Sequence, residues 1–248
     1  MSNNFPEWLK THPGQSFDDY KTSECSHTDQ IHENKISKKS SKKVNKKIWI
    51  SSLLAFIVFY IVGQFAGDYI MKFFRHEKTS NEILGQKWIK ESYGDFGLKV
   101  ETPIKLMKGD LNLPENLKQM IEKMDCYQYT TVKGFVILIN SIKYRQIVNH
   151  IDLKAAALGS ANEARMQKGV TNFTYNEEPT TKYDIPGIIQ KGTCRINDID
   201  TEFINAIYGS GLNLWEVMVM YQSDDEVGKI ASKRVIESIE IKSNQGAI

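Results

Sequence analysis

The side chains able to do chemistry in this 248-residue chain are few and fall in three places. Cys126 and His150 are a thiol and an imidazole, the minimum for a nucleophile activated by a base, but nothing in the neighbouring sequence orients either one. Asp198, Asp200 and Glu202 alternate, so an extended strand would point three carboxylates to one face, a set of hard oxygen ligands suited to calcium. The glycine and flanking ligands of a dedicated calcium loop are missing, and a solvated hairpin edge accounts for the same residues. Cys25, His27 and His32 lie near Asp29 and Glu33, yet their spacing matches no zinc pattern. No nucleophile elbow, phosphate loop, metalloprotease helix or dinucleotide fingerprint occurs. The residues imply no catalytic set, no metal and no cofactor.

Cys126 and Cys194 are the only cysteines after residue 67. In an oxidising compartment they are a candidate disulfide, whose long loop would contribute roughly 4 kcal/mol in the chain-entropy model; two buried free thiols are the alternative. Asn172 and Thr174 form a lone glycosylation sequon, meaningful only in a eukaryotic secretory pathway.

The elements that position these residues begin with a membrane segment. Ile48 to Gly67 is twenty residues without a charge, which at a rise of about 1.5 Å per residue matches a hydrocarbon core of about 30 Å. Lys35, Lys38, Lys39, Lys42, Lys43, Lys46 and Lys47 precede it, against Lys72, Arg75, Lys78 and Lys87 after it, so the N-terminus stays in the cytoplasm. The region before the span is too long for a cleaved signal peptide, which makes it an uncleaved signal anchor in the plasma (inner) membrane, with the C-terminal part periplasmic or extracellular. Gly63 and Gly67 form a small-xxx-small pair on which two such helices could dimerise.

Residues 1–47 read as a cytoplasmic tail. Residues 5–20 carry Trp8, Phe17 and Tyr20, aromatic anchors able to dock a cytoplasmic partner or to lie on lipid headgroups. Residues 35–47 are polybasic, and from Glu24 to Lys47 there is almost nothing to bury, which predicts disorder. Met1 to Lys47 holds nine lysines against six acids, whereas Asp68 to Ile248 holds 23 basic and 24 acidic residues. A near-neutral outer domain without a basic stripe excludes nucleic acid as a partner, because that affinity comes largely from neutralising phosphates. Membrane lipid and a protein partner remain.

After a connector at 68–87, residues 88–242 alternate strand and helix signals, and 243–248 form a short tail. Phe96, Leu98 and Val100 alternate ahead of Pro103, as in a strand with one buried face. Leu117, Met120, Ile121 and Met124 fall at helical spacing behind Pro114, which predicts a short amphipathic helix. Cys126 to Val132 and Phe135 to Tyr144 flank Lys133 and Gly134 as a hairpin, and FVILI is apolar on both faces, as in a central strand. Asp152 to Lys168 is an alanine-rich helix stopped at Gly169. Strands at 170–176, 188–196, 201–208 and 214–221 predict an antiparallel meander, and Ser223 with Glu226 makes a capping box for a last helix. The fold class is α+β, an antiparallel sheet with helices packed on its faces.

FGLKVETP, DLKAAALGSANEARMQKGVTNF, IPGIIQKGT, and LWEVMVMYQ with ASKRVIESIEI resemble the PsbP/DcrB-like domains in the same order over about residues 88–242. That resemblance implies a PsbP-like sandwich and a non-enzymatic binding or assembly module, with no shared catalytic residues to carry over. The alternatives are an envelope hydrolase using Cys126 or the Asp198 cluster, and a membrane scaffold or signalling protein acting through its tail.

Overall fold

The computed structural model describes residues 78–109, 115–130, 135–146 and 151–242. The expected span at 48–67, the Gly63–Gly67 pair, the tail residues Trp8, Phe17 and Tyr20, the Cys25 group, His76, His150 and residues 243–248 lie outside them. Among the described residues no helix is long and apolar enough to cross a membrane.

In chain order the elements are α1 (Glu82–Gly85), β1 (Ile89–Ser92), β2 (Leu98–Thr102), β3 (Met107–Gly109), α2 (Glu115–Lys118), β4 (Ile121–Thr130) and β5 (Val136–Tyr144). There follow α3 (Leu153–Met166), β6 (Val170–Lys182), β7 (Ile185–Ile196), β8 (Ile199–Ser210), β9 (Asn213–Gln222), α4 (Glu226–Glu237) and β10 (Glu240–Ile241). Seven strands form one antiparallel sheet in the order β3-β4-β5-β9-β8-β7-β6, and β1-β2-β10 form a second, smaller one. The expected α+β class is what these layers show.

The large sheet is covered on both faces. Phe135, Ile137 and Ile139 with Trp215, Val217 and Val219 share a cluster with Leu98 and Val100 of β2, Ala231 and Val235 of α4, and Ile83 of α1. Alternate residues of the same strands face the other way, where Ile142 and Leu214 meet Ala156 and Ala157 of α3. The alanines let α3 lie close to the strands, and it carries the chain over this second face from β5 to β6 at the far edge. Burying a large apolar side chain contributes roughly 1.5–3 kcal/mol, so the pairing of β5 with β9, which buries Ile137, Ile139, Ile142, Leu214, Val217 and Val219, contributes strongly to stability.

Turn chemistry sets the meander. Tyr183 and Asp184 join β6 to β7, and Asn197 and Asp198 join β7 to β8; all four have positive φ, as two-residue hairpin loops that match strand twist require. Asp198 therefore sits in a turn and not on a strand, which separates it from Asp200 and Glu202. The small sheet is fastened by Arg234 of α4, which donates to Glu101 of β2 at 2.9 and 3.2 Å and lies 4.2 Å from the Trp88 ring. Lys182 donates to the last carbonyls of α4, those of Ile236 and Glu237, at 3.3 and 2.9 Å.

Three expectations are corrected. Met120, Ile121 and Met124 do not share a helix: the helical turn is only Glu115–Lys118, and Ile121 and Met124 belong to β4. A register shift between Ile121 and Lys123 gives that strand a bulge, and pairing along nearly all of β5 outweighs the local helical spacing. The cap of α4 is Asp225, not Ser223. Part of the connector expected at 68–87 is folded, since Ile83 is buried and Leu84 packs against the core.

Asp225 does two jobs from one carboxylate. Its Oδ1 accepts from the Gly228 amide at 2.9 Å, and its Oδ2 accepts from the Thr79 amide at 2.7 Å. Asp225→Ala should lose the cap and this charge-assisted tie together, lowering the unfolding free energy by about 2–3 kcal/mol in urea titration. Asp225→Asn should lose less, because an amide still caps; equal stability of the Ala variant and the parent would show that the tie carries no load.

Candidate functional site

Cys126 and Cys194 are both free and buried. Cys126 lies on β4 and Cys194 on β7, with β5, β9 and β8 between them. Four strand spacings amount to roughly 19 Å, whereas a disulfide needs Cα atoms within about 7 Å. The candidate bridge is thus replaced by two separate thiols packed in different apolar clusters. Burial pushes both thiols up to about 12, with the Glu216 carboxylate adding to the rise at Cys126. A protonated thiol 2 % exposed is not a nucleophile, so Cys126 offers nothing to a hydrolase.

The carboxylates at 198–202 part company. Asp200 pairs with Arg195 across the hairpin at 3.0 Å, and Glu202 Oε2 accepts from the Tyr221 hydroxyl at 2.7 Å. They make no joint ligand set, and among the described residues no cluster of three or more His, Cys, Asp or Glu could hold a metal.

Around Glu202 lies an open groove of about 370 Å³ on the first face of the large sheet. Further along β8, Ala206 and Tyr208 are buried in the cluster that includes α4, while Glu202 and Ile204 are only half-buried. Register places Thr174, Thr193, Glu202 and Tyr221 side by side across β6, β7, β8 and β9. Asn176, Lys191 and Ile204 form the next row. Burial and the adjacent Glu202 raise the Tyr221 phenol well above its ordinary value, so it stays a neutral donor that orients the carboxylate. Lys191 reaches Glu178 at 3.3 Å in an exposed pair. The groove thus presents one cation, one anion and a set of hydroxyl and amide groups.

On the opposite face the sheet hides a polar network. Glu216 of β9, 1 % exposed, accepts from Asn140 Nδ2 at 2.8 Å, from Ser160 Oγ of α3 at 2.6 Å and from Asn205 Nδ2 at 3.0 Å. Gln190 Nε2 extends it to the Ala157 carbonyl at 2.9 Å. Burial, with Glu216 nearby, also raises the Tyr144 phenol. This network fastens α3 to the sheet. Its sequence signal was a lone acid inside the apolar run LWEVMVMY, since a charge on a strand covered on both faces must be hydrogen-bonded. The groove left no such mark: Lys191 and Glu202 come together only through strand register.

No family model matches the chain, and no curated protein matches it. Among solved structures the chain is similar to a cyanobacterial PsbP from Synechocystis, with 10% identity and a TM-score of 0.43 over 62% of this chain and 92% of that one. It is also similar to LpqN of Mycobacterium tuberculosis, described as involved in cell envelope biogenesis, with 12% identity and a TM-score of 0.36 over 68% and 99% of the two chains. A protein of unknown function from Pseudomonas aeruginosa has 6% identity and a TM-score of 0.35 over 56% and 99%. The first of these is a PsbP, as the sequence resemblance implied. At such scores the likeness carries no argument, and the fold described above stands on strand order and burial.

Because each thiol keeps its proton to higher pH in the folded state than in the unfolded chain, folding binds protons between about pH 9 and 12. Stability should be intact below about pH 8.5 and fall as pH rises through this window, by up to about 1.4 kcal/mol per unit for each thiol. Replacing Cys126 and Cys194 by Ala should flatten melting temperature against pH between 9 and 11. A slope unchanged in the double variant would contradict the burial argument.

Proposed function

We propose that this chain is a single-pass, membrane-anchored protein whose outer PsbP-like domain is a non-enzymatic binding or assembly module working through the groove on its large sheet. In this reading residues 48–67 span the plasma membrane, the N-terminus is cytoplasmic, and the domain beyond residue 77 faces the far side. The observation that carries it is the character of the open site: Thr174, Asn176, Lys191, Thr193, Glu202 and Tyr221 offer hydrogen bonds and one charge of each sign, while both outer thiols are buried. Such a surface recognises and holds; it supplies no activated nucleophile.

The experiment uses a photo-crosslinking residue at Asn176 in cells, paired with Thr193→Trp to fill the groove. Thr193 is exposed and its hydroxyl shares one surface hydrogen bond with Thr174 at 3.0 Å, so the substitution should change stability by no more than about 1 kcal/mol while abolishing the crosslink. Protease added from outside should digest the carboxyl half and spare the amino end. Crosslinks that survive Thr193→Trp would refute the groove, and a reversed protease pattern would refute the orientation.

A further inference from the structure

We propose that the groove is a binding site for the phosphoethanolamine headgroup of a membrane phospholipid. The inference rests on the membrane-anchored reading above and names the ligand of that same site.

Placement comes first. The chain joins the domain at the N-terminal end of α4, where Lys78 pairs with Asp224 at 2.7 Å and donates to its carbonyl at 3.1 Å, beside the tie from Thr79 to Asp225. Residue 67 ends the span and residue 78 is already tied down, so the intervening chain reaches at most roughly 35 Å when fully extended. The groove lies at this same end: the Ser223 amide donates to the Asp200 carbonyl at 2.9 Å, and Tyr221 pairs with Glu202 two residues further along each strand. The end of the domain that meets the tether therefore also carries the groove.

Charge and shape select the ligand. Thr193 faces Glu202 and Lys191 faces Ile204, so Lys191 and Glu202 are diagonal neighbours on one face, about 7–8 Å apart at their stems. A zwitterion with an anion and an ammonium a few bonds apart fits between them. Its phosphate would take the Lys191 ammonium, the Asn176 amide and the one proton left free by the Thr174–Thr193 hydroxyl pair, which share a hydrogen bond at 3.0 Å, and its ammonium would donate to Glu202, which Tyr221 holds in place. Lys191 is available because its present pair with Glu178 is exposed, and such pairs contribute only about 0–1 kcal/mol. A purely anionic headgroup would bring no cation to Glu202, and a choline headgroup has no N–H to give it. The volume of about 370 Å³ suits a headgroup and not a whole lipid.

The test is a zero-length carbodiimide crosslink on the full chain in nanodiscs, read by mass spectrometry of peptides. Discs of phosphatidylethanolamine with phosphatidylglycerol should yield a lipid amide on Glu202 at least roughly tenfold above that on Glu226 or Asp198, and Lys191→Glu should cut it by about tenfold. Glu202→Gln should remove it, and soluble glycerophosphoethanolamine should compete for it. A chain held in the discs with adducts spread evenly over its exposed acids, or with none, overturns the headgroup site and leaves the anchor standing. A chain that stays out of the discs overturns the anchor. Glycerophosphoethanolamine alone then decides the site: an adduct on Glu202 upholds it and none overturns it.

Discussion

From Leu214 to Gln222 every residue of β9 is buried, and that constraint governs the rest of the molecule. A strand that hides both faces cannot exist in a sheet covered on one side, so two layers have to be recruited. The first is made from parts far apart in sequence: α1 and β2 before the sheet, α4 and β10 after it, with Arg234 of α4 ion-paired to Glu101 of β2. The second is made by a single connection, α3, which crosses the face on its way from β5 to β6.

Two buried acids show how polar groups are handled under that constraint. Asp225 sits at a helix start, where unsatisfied backbone amides and the helix dipole favour a negative charge, and it turns this into a tie between α4 and Thr79. Glu216 lies mid-strand with no helix terminus to help. Its three donors come from β5, β8 and α3, so it can be satisfied only when these elements are already assembled. Half-formed, such a network costs more than an apolar core; complete, it specifies one seating of α3 over the strands.

How much of this was legible in the sequence depended on the range of the interaction. Strand and helix positions set by local pattern, such as β5 from FVILI or α3 from its alanines, were readable, as was the α+β class. Ile121 and Met124 were misread because their spacing serves a helix as well as a bulged strand, and only pairing with β5 decides between them. The cap lies two residues beyond Ser223 because Asp225 also ties Thr79, 146 residues away, a partner no local spacing reveals. The two thiols looked pairable in a linear list, but strand order places three strands between them. Glu202 was visible as one of an acidic trio, yet its partner Tyr221 and its diagonal neighbour Lys191 are consequences of register, which no local pattern states.

Register also bears on how the domain recognises anything. The sheet ends at β6, a thirteen-residue edge strand, and a long open edge is the usual template for adding a partner's strand. Here the edge is blunted: the pairing slips between Thr171 and Thr174, Asn172 turns to a φ of 52, Pro179 lies within the strand, and Glu177, Glu178 and Lys182 line it with charge. A bulge, a proline and charged side chains each weaken strand addition, so these features keep copies from pairing edge to edge. Because the two covering layers stop short of Glu202 and Ile204, that face stays open at the end of the sheet where Lys78 and Thr79 are tied to Asp224 and Asp225.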